Sequence, residues 1–279
     1  MAEIIKYPDG SSYAKIHMNE VRGMPNIPFT FRINSYNDLW ELNQIVDAYN
    51  NINVTPNVLI PNLLDAQADR RFDEGESSGL KLVCKFLNGM DANFKIFHPH
   101  NAEVVEALMD NVTIIDNKEF ITDVIADHIE LTNGELILMS PDAGAFKPLV
   151  KLANSLDWQG EIYSAVKSRD PKTGMLTQEI SREDFGGKDI LIIDDLIVGG
   201  GTLKGLATLL KERNCGKIYA AASHMTVQNL CEDPVADYFD KVFITNSKFE
   251  EYYGPLSRGT IQGAGCFDQP ENLEIIRMF

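Results

Sequence analysis

The stretch "DILIIDDLIVGGGTLKGLATLL", residues 189–210, runs from apolar residues into two adjacent carboxylates, three glycines, a threonine and an apolar-periodic segment. Residues 190–193 have the composition of a strand buried on both faces, the mark of a parallel sheet covered by helices. Such strands end at the carboxyl edge of the sheet, where open α/β folds bind ligands. Asp194 and Asp195 fall at that edge. Adjacent strand residues point to opposite faces, so one carboxylate reaches a ligand directly while the other turns away or meets it through a bend. The vicinal hydroxyls of a sugar suit this arrangement. Gly199, Gly200, Gly201 and Thr202 then make a loop almost free of Cβ atoms before a helix, where backbone amides converge on an anion such as phosphate. A plainer reading, a solvated strand end and a permissive turn, accounts for each piece singly. The succession of strand, paired Asp, glycines, Thr and helix favours a site. It is not a Walker loop, because Lys204 follows the threonine.

Outward from this segment the same grammar recurs. Upstream, "IPFTFRIN" (27–34), "NVLIPNLL" (57–64), "FKIFHPH" (94–100) and "VTIID" (112–116) read as strands. Between them, "DLWELNQIVDAYNN" (38–51), started by Asn37 or Asp38, "GLKLVCKFLNGM" (79–90) and "AEVVEALMD" (102–110) read as helices, and "EFITDVIADHIEL" (119–131) adds another. Asn133 and Gly134 mark a turn and a domain boundary near residue 134. The second half repeats the pattern: strand "ELILMS", helix "AFKPLVKLANSL", "GEIYSAVKSRD" as a strand entering a loop, then the central stretch and the strands "KIYAAASHM" and "KVFITNS". Alternation of strand and helix throughout defines an α/β chain with parallel sheets.

With 279 residues there is room for two medium domains. The balance of 41 acidic to 25 basic residues, a formal charge of −16, argues against a nucleic-acid surface, which needs a positive field. Phosphate would need local help from loop amides, a few cations or a metal ion. Cys84, Cys215, Cys231 and Cys266 have no metal-ligand spacing, and no window approaches the roughly 18 apolar residues of a membrane span, so the expectation is a reduced, cytoplasmic protein without membrane association.

The central loop resembles the ribose-phosphate loop of type I phosphoribosyltransferases and of the ribose-phosphate pyrophosphokinases (phosphoribosyl pyrophosphate synthetases). Collinear segments favour the pyrophosphokinases. "YPDGSSYAKI" resembles their FxDGE element, "NVLIPNLLDAQADRRF" their ATP-binding strand and loop, and "FHPH" their DLH segment. "LMSPDAGA" resembles SPDxGG, "VKSRDP" the KxR catalytic loop and "ITNS" a late TNS strand. The resemblance implies two tandem phosphoribosyltransferase-like domains, residues 1–133 with the ATP loop and 134–279 with the ribose-phosphate and catalytic loops. It makes Asp194 and Asp195 the ribose ligands, Gly199, Gly200, Gly201 and Thr202 the cradle for the 5-phosphate, and Lys167 and Arg169 the catalytic cations. It assigns Asp9, Gln67, Asp69, Arg70 and Arg71 to ATP, and His100 and Asp142 to Mg²⁺. The implied reaction takes the β,γ-pyrophosphoryl group of ATP to the anomeric hydroxyl of ribose 5-phosphate and releases AMP. Phosphoryl-type transfer rests on positioning and charge stabilisation, which suits cations and Mg²⁺ rather than a nucleophilic side chain.

Taken without the resemblance, Lys167 and Arg169 are ordinary loop charges, His98 and His100 strand-end histidines, Asp142 a turn or capping residue, and Asp9 with Gly10 a turn. The sequence also departs from the family. Its loop reads DDLIVGGGT where the family has DDxxDTxGT, so Val198 and Gly199 replace an Asp and a Thr and enlarge the space around the 5-substituent. ADP-ribose, which keeps the anomeric hydroxyl and the diol, is therefore an alternative acceptor, giving a pyrophosphorylated product for NAD synthesis. Gln67 and Ala68 stand where the ATP loop has Arg and Gln. The chain also starts almost at the DG element, without the family's first strand and helix; a homodimer or higher homo-oligomer is expected. A phosphoribosyltransferase and a non-catalytic regulatory homologue are the remaining readings; the tandem halves and the KxR-like loop count against the first, and retention of Lys167, Arg169, Asp194 and Asp195 against the second.

Overall fold

The computed structural model describes residues 2–21, 28–132, 134–169, 176–226, 234–248 and 270–279, with the side chains of residues 20, 167–169 and 176–178 outside the described set. The chain divides into two compact units, Met1–Asp116 with Phe279, and Asn117–Met278. The division falls earlier than the turn near residue 134 suggests. Its reason is packing: Phe120, Ile121 and Val124 are buried in one cluster with Leu136, Leu138, Leu149 and Leu191, so the stretch before the turn belongs to the second core. Asn133, half of that turn, lies outside the described residues.

The first unit opens with strands β1 (Ala2–Lys6) and β2 (Ser12–Ile16), an antiparallel hairpin, and a short helix α1 (Met18–Val21). Then follow β3 (Pro28–Thr30), α2 (Tyr36–Asn50), β4 (Asn57–Ile60), α3 (Gly79–Asn88), β5 (Asn93–Phe97), α4 (Ala102–Leu108) and β6 (Val112–Ile115). Strands β3 to β6 form one parallel sheet in chain order. Helix α2 starts earlier than Asn37 or Asp38. Ser35 is the N-cap and Asp38 the third helical residue, and their side chains each accept from the other's backbone N–H, closing a capping box. Leu42, Val46, Leu80, Val83 and Leu87 pack on Val58, Ile60, Phe94 and Ile96 of the strands.

The second unit contains α5 (Lys118–Asp123), continued by a π-helical turn at Val124–His128, then β7 (Leu136–Ser140), α6 (Phe146–Ser155) and β8 (Ile162–Ser164). After these come β9 (Val166–Arg169), β10 (Leu176–Glu179), β11 (Asp189–Ile197), α7 (Gly201–Lys211), β12 (Ile218–Met225), a 3₁₀ turn at Val235–Tyr238, β13 (Lys241–Thr245) and β14 (Leu273–Ile276). Six parallel strands lie in the order β14-β13-β12-β11-β7-β8, with β11 central. Helices cover both faces. Leu203, Leu206 and Leu210 of α7 share a cluster with Ile190, Ile192, Ala220 and Ala222, while Phe120, Leu149 and Leu152 pack with Leu191, Ile193 and Phe243. The apolar run at 190–193 is thus buried on both sides, as its composition requires.

A buried carboxylate ties down the amino end of β11. Asp189 is fully buried and accepts from the amides of Lys217 at 2.7 Å and Thr132 at 2.5 Å. A Cβ at Gly216 would collide with this carboxylate and with the Gly187 carbonyl, so only glycine lets the α7–β12 connection pass.

Candidate active site

The carboxyl edge of the second sheet brings together the ends of β7, β11, β12 and β13. Strand β11 runs past Asp194 and Asp195 to Ile197, so the carboxylates lie inside it rather than at its end. They are half-buried and flanked unequally: β7 pairs only as far as Ile192, and the ladder with β12 passes from Asp194 to Leu196 over Asp195. Side-chain alternation also slips here. Ile190 and Ile192 pack on the α7 side and Leu191 and Ile193 on the other, yet Ile197 returns to the α7 side, where strict alternation would not place it. The slip lies within the stretch that holds the two carboxylates, and the Asp195 amide donates to Asp194 Oδ1 at 2.9 Å. Burial, followed by the charge of Asp195, pushes the Asp194 carboxyl up, to about 8. Asp142 adds a smaller push in the same direction.

Below this pair the glycine segment turns into α7. Gly200 is left-handed at φ +69° and forms the N-cap, which puts Gly201 and Thr202 in the first helical turn instead of the loop. No side chain of the N-cap residue closes the helix, so its amino terminus is a site where amides and dipole favour an anion. A Cβ at Gly199 or Gly201 would meet nothing within 4 Å. The protein's own packing therefore does not require glycine at these two positions; only Gly200 is fixed by its backbone angle. Val198 is 44% exposed, and its carbonyl accepts from Thr226 Oγ1 at 2.7 Å, which pins the start of the loop to the end of β12.

Next to β11, the loop after β7 is built by its own polar groups. Asp142 Oδ1 accepts from the amides of Gly144 and Ala145 at 2.9 and 3.1 Å, and buried Ser140 donates to the Asp142 carbonyl. One carboxylate oxygen of Asp142 thus closes the turn ahead of α6, as the plainer reading has it. On the other side, the ends of β12 and β13 carry a buried polar chain absent from the sequence reading except as "ITNS". Thr245 Oγ1 and Ser247 Oγ both donate to the Ser223 carbonyl, at 2.6 and 3.1 Å, and Ser247 Oγ lies 2.8 Å from His224 Nδ1. The sequence signal was a run of polar residues, Ser223 and His224, closing an otherwise apolar strand.

Lys167 and Arg169, expected in a loop, lie on β9 of the antiparallel β9–β10 hairpin, opposite Gln178 and Leu176 in backbone register. Their side chains, and residues 170 and 171 that complete the "VKSRDP" segment, are outside the described set.

In the first unit, the loops following β4 and β5 share the carboxyl edge of their sheet. Asn101 donates to Asp69 Oδ2 at 3.3 Å, joining the loop of Gln67, Asp69, Arg70 and Arg71 to the one carrying His98 and His100. Gln67, Arg70 and Arg71 are exposed, as is His100. Asp9 occupies the β1–β2 turn, its Oδ1 accepting from the amide and hydroxyl of Ser11 at 3.0 and 2.7 Å, and these bonds hold its carboxyl below the usual range. Asp9 is thus engaged in the turn that the residues alone suggested. His100 and Asp142, the two residues assigned to metal, belong to different units. Among the described residues, no group of three or more His, Cys, Asp or Glu side chains is placed to hold a metal ion. Mg²⁺ does not require one: it takes one or two carboxylates and completes its shell with phosphate oxygens and water. An oxygen-donor set with Asp142 near the Asp194 and Asp195 pair fits that preference.

Paired carboxylates and a glycine-led helix terminus thus lie together at the carboxyl edge of a parallel sheet covered on both faces. The Phosphoribosyl transferase domain family matches residues 107–257, and the chain belongs to this family. It is similar to ribose-phosphate pyrophosphokinase of Pyrococcus abyssi, 24% identical with 88% of this chain and 83% of that protein covered. The corresponding protein of Sulfolobus acidocaldarius is 26% identical, with 86% and 82% covered. The fold is that of phosphoribosylpyrophosphate synthetase from Mycobacterium smegmatis, with a TM-score of 0.76 at 19% identity over 99% of this chain and 86% of that one. No described helix is long and apolar enough to cross a membrane.

Proposed function

We propose that this protein is a magnesium-dependent pyrophosphokinase acting on a ribose 5-phosphate compound. The observation that carries the reading is the placement of Asp194 and Asp195 near the carboxyl end of β11, the strand that leads directly into the glycine-led start of α7. The similarity to pyrophosphokinases across both halves of the chain supports it further. In this reading the Asp pair holds the vicinal hydroxyls of the sugar, and the amides at Gly199 to Thr202 hold its 5-phosphate. The anomeric oxygen attacks the β-phosphorus of ATP in line. A new O–P bond forms, the bond between the β-phosphorus and the oxygen bridging to the α-phosphorus breaks, AMP leaves with that electron pair, and the hydroxyl proton passes to solvent. Lys167 and Arg169 neutralise the group in transit, and the exposed Arg70 and Arg71 beside Asp69 meet ATP. When bound, Mg²⁺ would supply charge neutralisation and alignment of the phosphates, and Asp142, beside the Asp194 and Asp195 pair, is the residue of the second unit that would hold it.

A second reading, ADP-ribose as acceptor, is favoured by the open space at Gly199 and Gly201 and by the exposed Val198, where the family places a carboxylate. The diphosphate diester of ADP-ribose is bulkier than a phosphate monoester and carries one charge on each phosphorus, where the monoester concentrates nearly two on one. An uncharged, unobstructed loop suits it. Incubation with Mg²⁺, ATP and equal amounts of ribose 5-phosphate and ADP-ribose, followed by mass spectrometry, separates the two. Pyrophosphorylated ribose 5-phosphate alone rejects the second reading; pyrophosphorylated ADP-ribose alone establishes it.

A further inference from the structure

The β9–β10 hairpin that carries Lys167 is anchored at both feet by one cluster of side chains. One foot leaves β8, the edge strand of the six-stranded sheet, through Ala165; the other returns through Ile180. Both residues are buried in the same core cluster. Beyond Ile180, Arg182 lies with its guanidinium carbon 5.5 Å from the Tyr163 ring centroid and 5.2 Å from that of Phe185. Its Nη1 donates to Glu161 and, at 2.9 Å, to the Tyr163 hydroxyl, which itself donates to Glu161 at 2.7 Å. Lys188 holds the other oxygen of Glu161 at 2.6 Å. Arg213 completes the stitching: its Nη1 donates to the carbonyls of Ile180 and Arg182 at 3.0 and 2.6 Å. The descending foot is thereby fastened to the ascending one by stacking, ion pairing and shared hydrogen bonds. A surface ion pair alone contributes little, whereas a guanidinium engaged by two rings and a carboxylate is held in one place.

We infer that Arg182 is a positioning residue for the reaction: by clamping the feet of the β9–β10 hairpin it fixes where Lys167 stands. This rests on the role given to Lys167 above. Transfer that depends on placing a cation against a migrating group is sensitive to small displacements, so loosening the hairpin reduces turnover and leaves substrate affinity nearly intact.

The test is a double-mutant cycle in the full-length chain with Mg²⁺, ATP and the acceptor that the wild type uses. Arg182→Ala is expected to lower kcat by about fivefold or more with KM for ATP changed less than about twofold. Because Arg182 acts through Lys167, adding Arg182→Ala to Lys167→Ala causes no further loss. Independent, multiplying losses, or an unchanged kcat in Arg182→Ala, overturn the inference. Tyr163→Phe, which removes only the hydroxyl, is the milder variant and shifts kcat in the same direction. Hydrogen exchange reads the clamp without turnover: Arg182→Ala speeds exchange at the amides of Val166–Arg169 and leaves β11 unchanged. Equal exchange in the two proteins overturns the clamp. A wild-type rate retained in Lys167→Ala, with faster exchange in Arg182→Ala, instead removes the catalytic role of Lys167 while the clamp stands.

Discussion

Asp194 has the most telling chemistry of any single residue here. Its carboxyl is raised from an ordinary value of 3.8 to about 8 by burial and by Asp195, so around neutral pH the folded chain keeps a proton that the unfolded chain has released. The fold therefore loses stability as the pH rises from about 4 toward 8, and each pH unit of that separation is worth about 1.4 kcal/mol. Asp194→Asn removes the cost. Chemical denaturation is expected to show the variant more stable by at least about 1 kcal/mol at pH 7.5, with the gain gone below about pH 4. A gain independent of pH would contradict the origin given to it. Asp195→Ala is expected chiefly to weaken the sugar acceptor, seen as a rise of tenfold or more in its KM, on the order of 1.4 kcal/mol, with KM for ATP steady. Gly199→Ala enters open space and should cost less than about 0.5 kcal/mol of stability, while shifting preference away from a bulky 5-substituent.

The elements that position these residues were legible in the sequence to different degrees. The doubly buried β11, the helices α2, α3, α6 and α7 and the parallel sheets follow from apolar run length and periodicity alone. What escaped was governed by context. Continuation of β11 through two carboxylates depends on β12 running alongside after β7 has stopped, which no local pattern encodes. Lys167 and Arg169 looked like loop residues because a short antiparallel hairpin of polar residues lacks the alternation of a half-buried strand. Strand β14 pairs with β13 from a distant part of the chain and gave no local sign of its partner. The paired Asp and the glycine segment were readable as a site; the polar chain of Ser223, His224, Thr245 and Ser247 was not, because its members meet only when β12 and β13 lie side by side. At this scale Gly216→Ala is the sharpest probe. Its added carbon meets the Asp189 carboxylate and a backbone carbonyl, neither of which yields easily, and a loss of about 1–3 kcal/mol is expected in equilibrium unfolding. Wild-type stability would show that the α7–β12 connection yields to the added carbon.

Across the whole molecule, two parallel α/β units each present loops at the carboxyl edge of a sheet, one rich in exposed cations at Arg70 and Arg71, the other in carboxylates and helix-terminal amides. A chain with a net charge of −16 holds polyanions only through such local devices. Catalysis then depends on few cations, and Lys167→Ala is expected to lower turnover by more than about tenfold with the melting temperature unchanged. The bond that breaks in ATP separates pyrophosphoryl transfer from single phosphoryl transfer. Turnover with ATP labelled on the β-phosphorus, Mg²⁺ and either acceptor, followed by mass spectrometry, identifies that bond: unlabelled AMP is expected in equal amount to an acceptor that has gained two phosphoryl groups with the label in the first. Formation of labelled ADP with a singly phosphorylated acceptor, or of neither product, would contradict it.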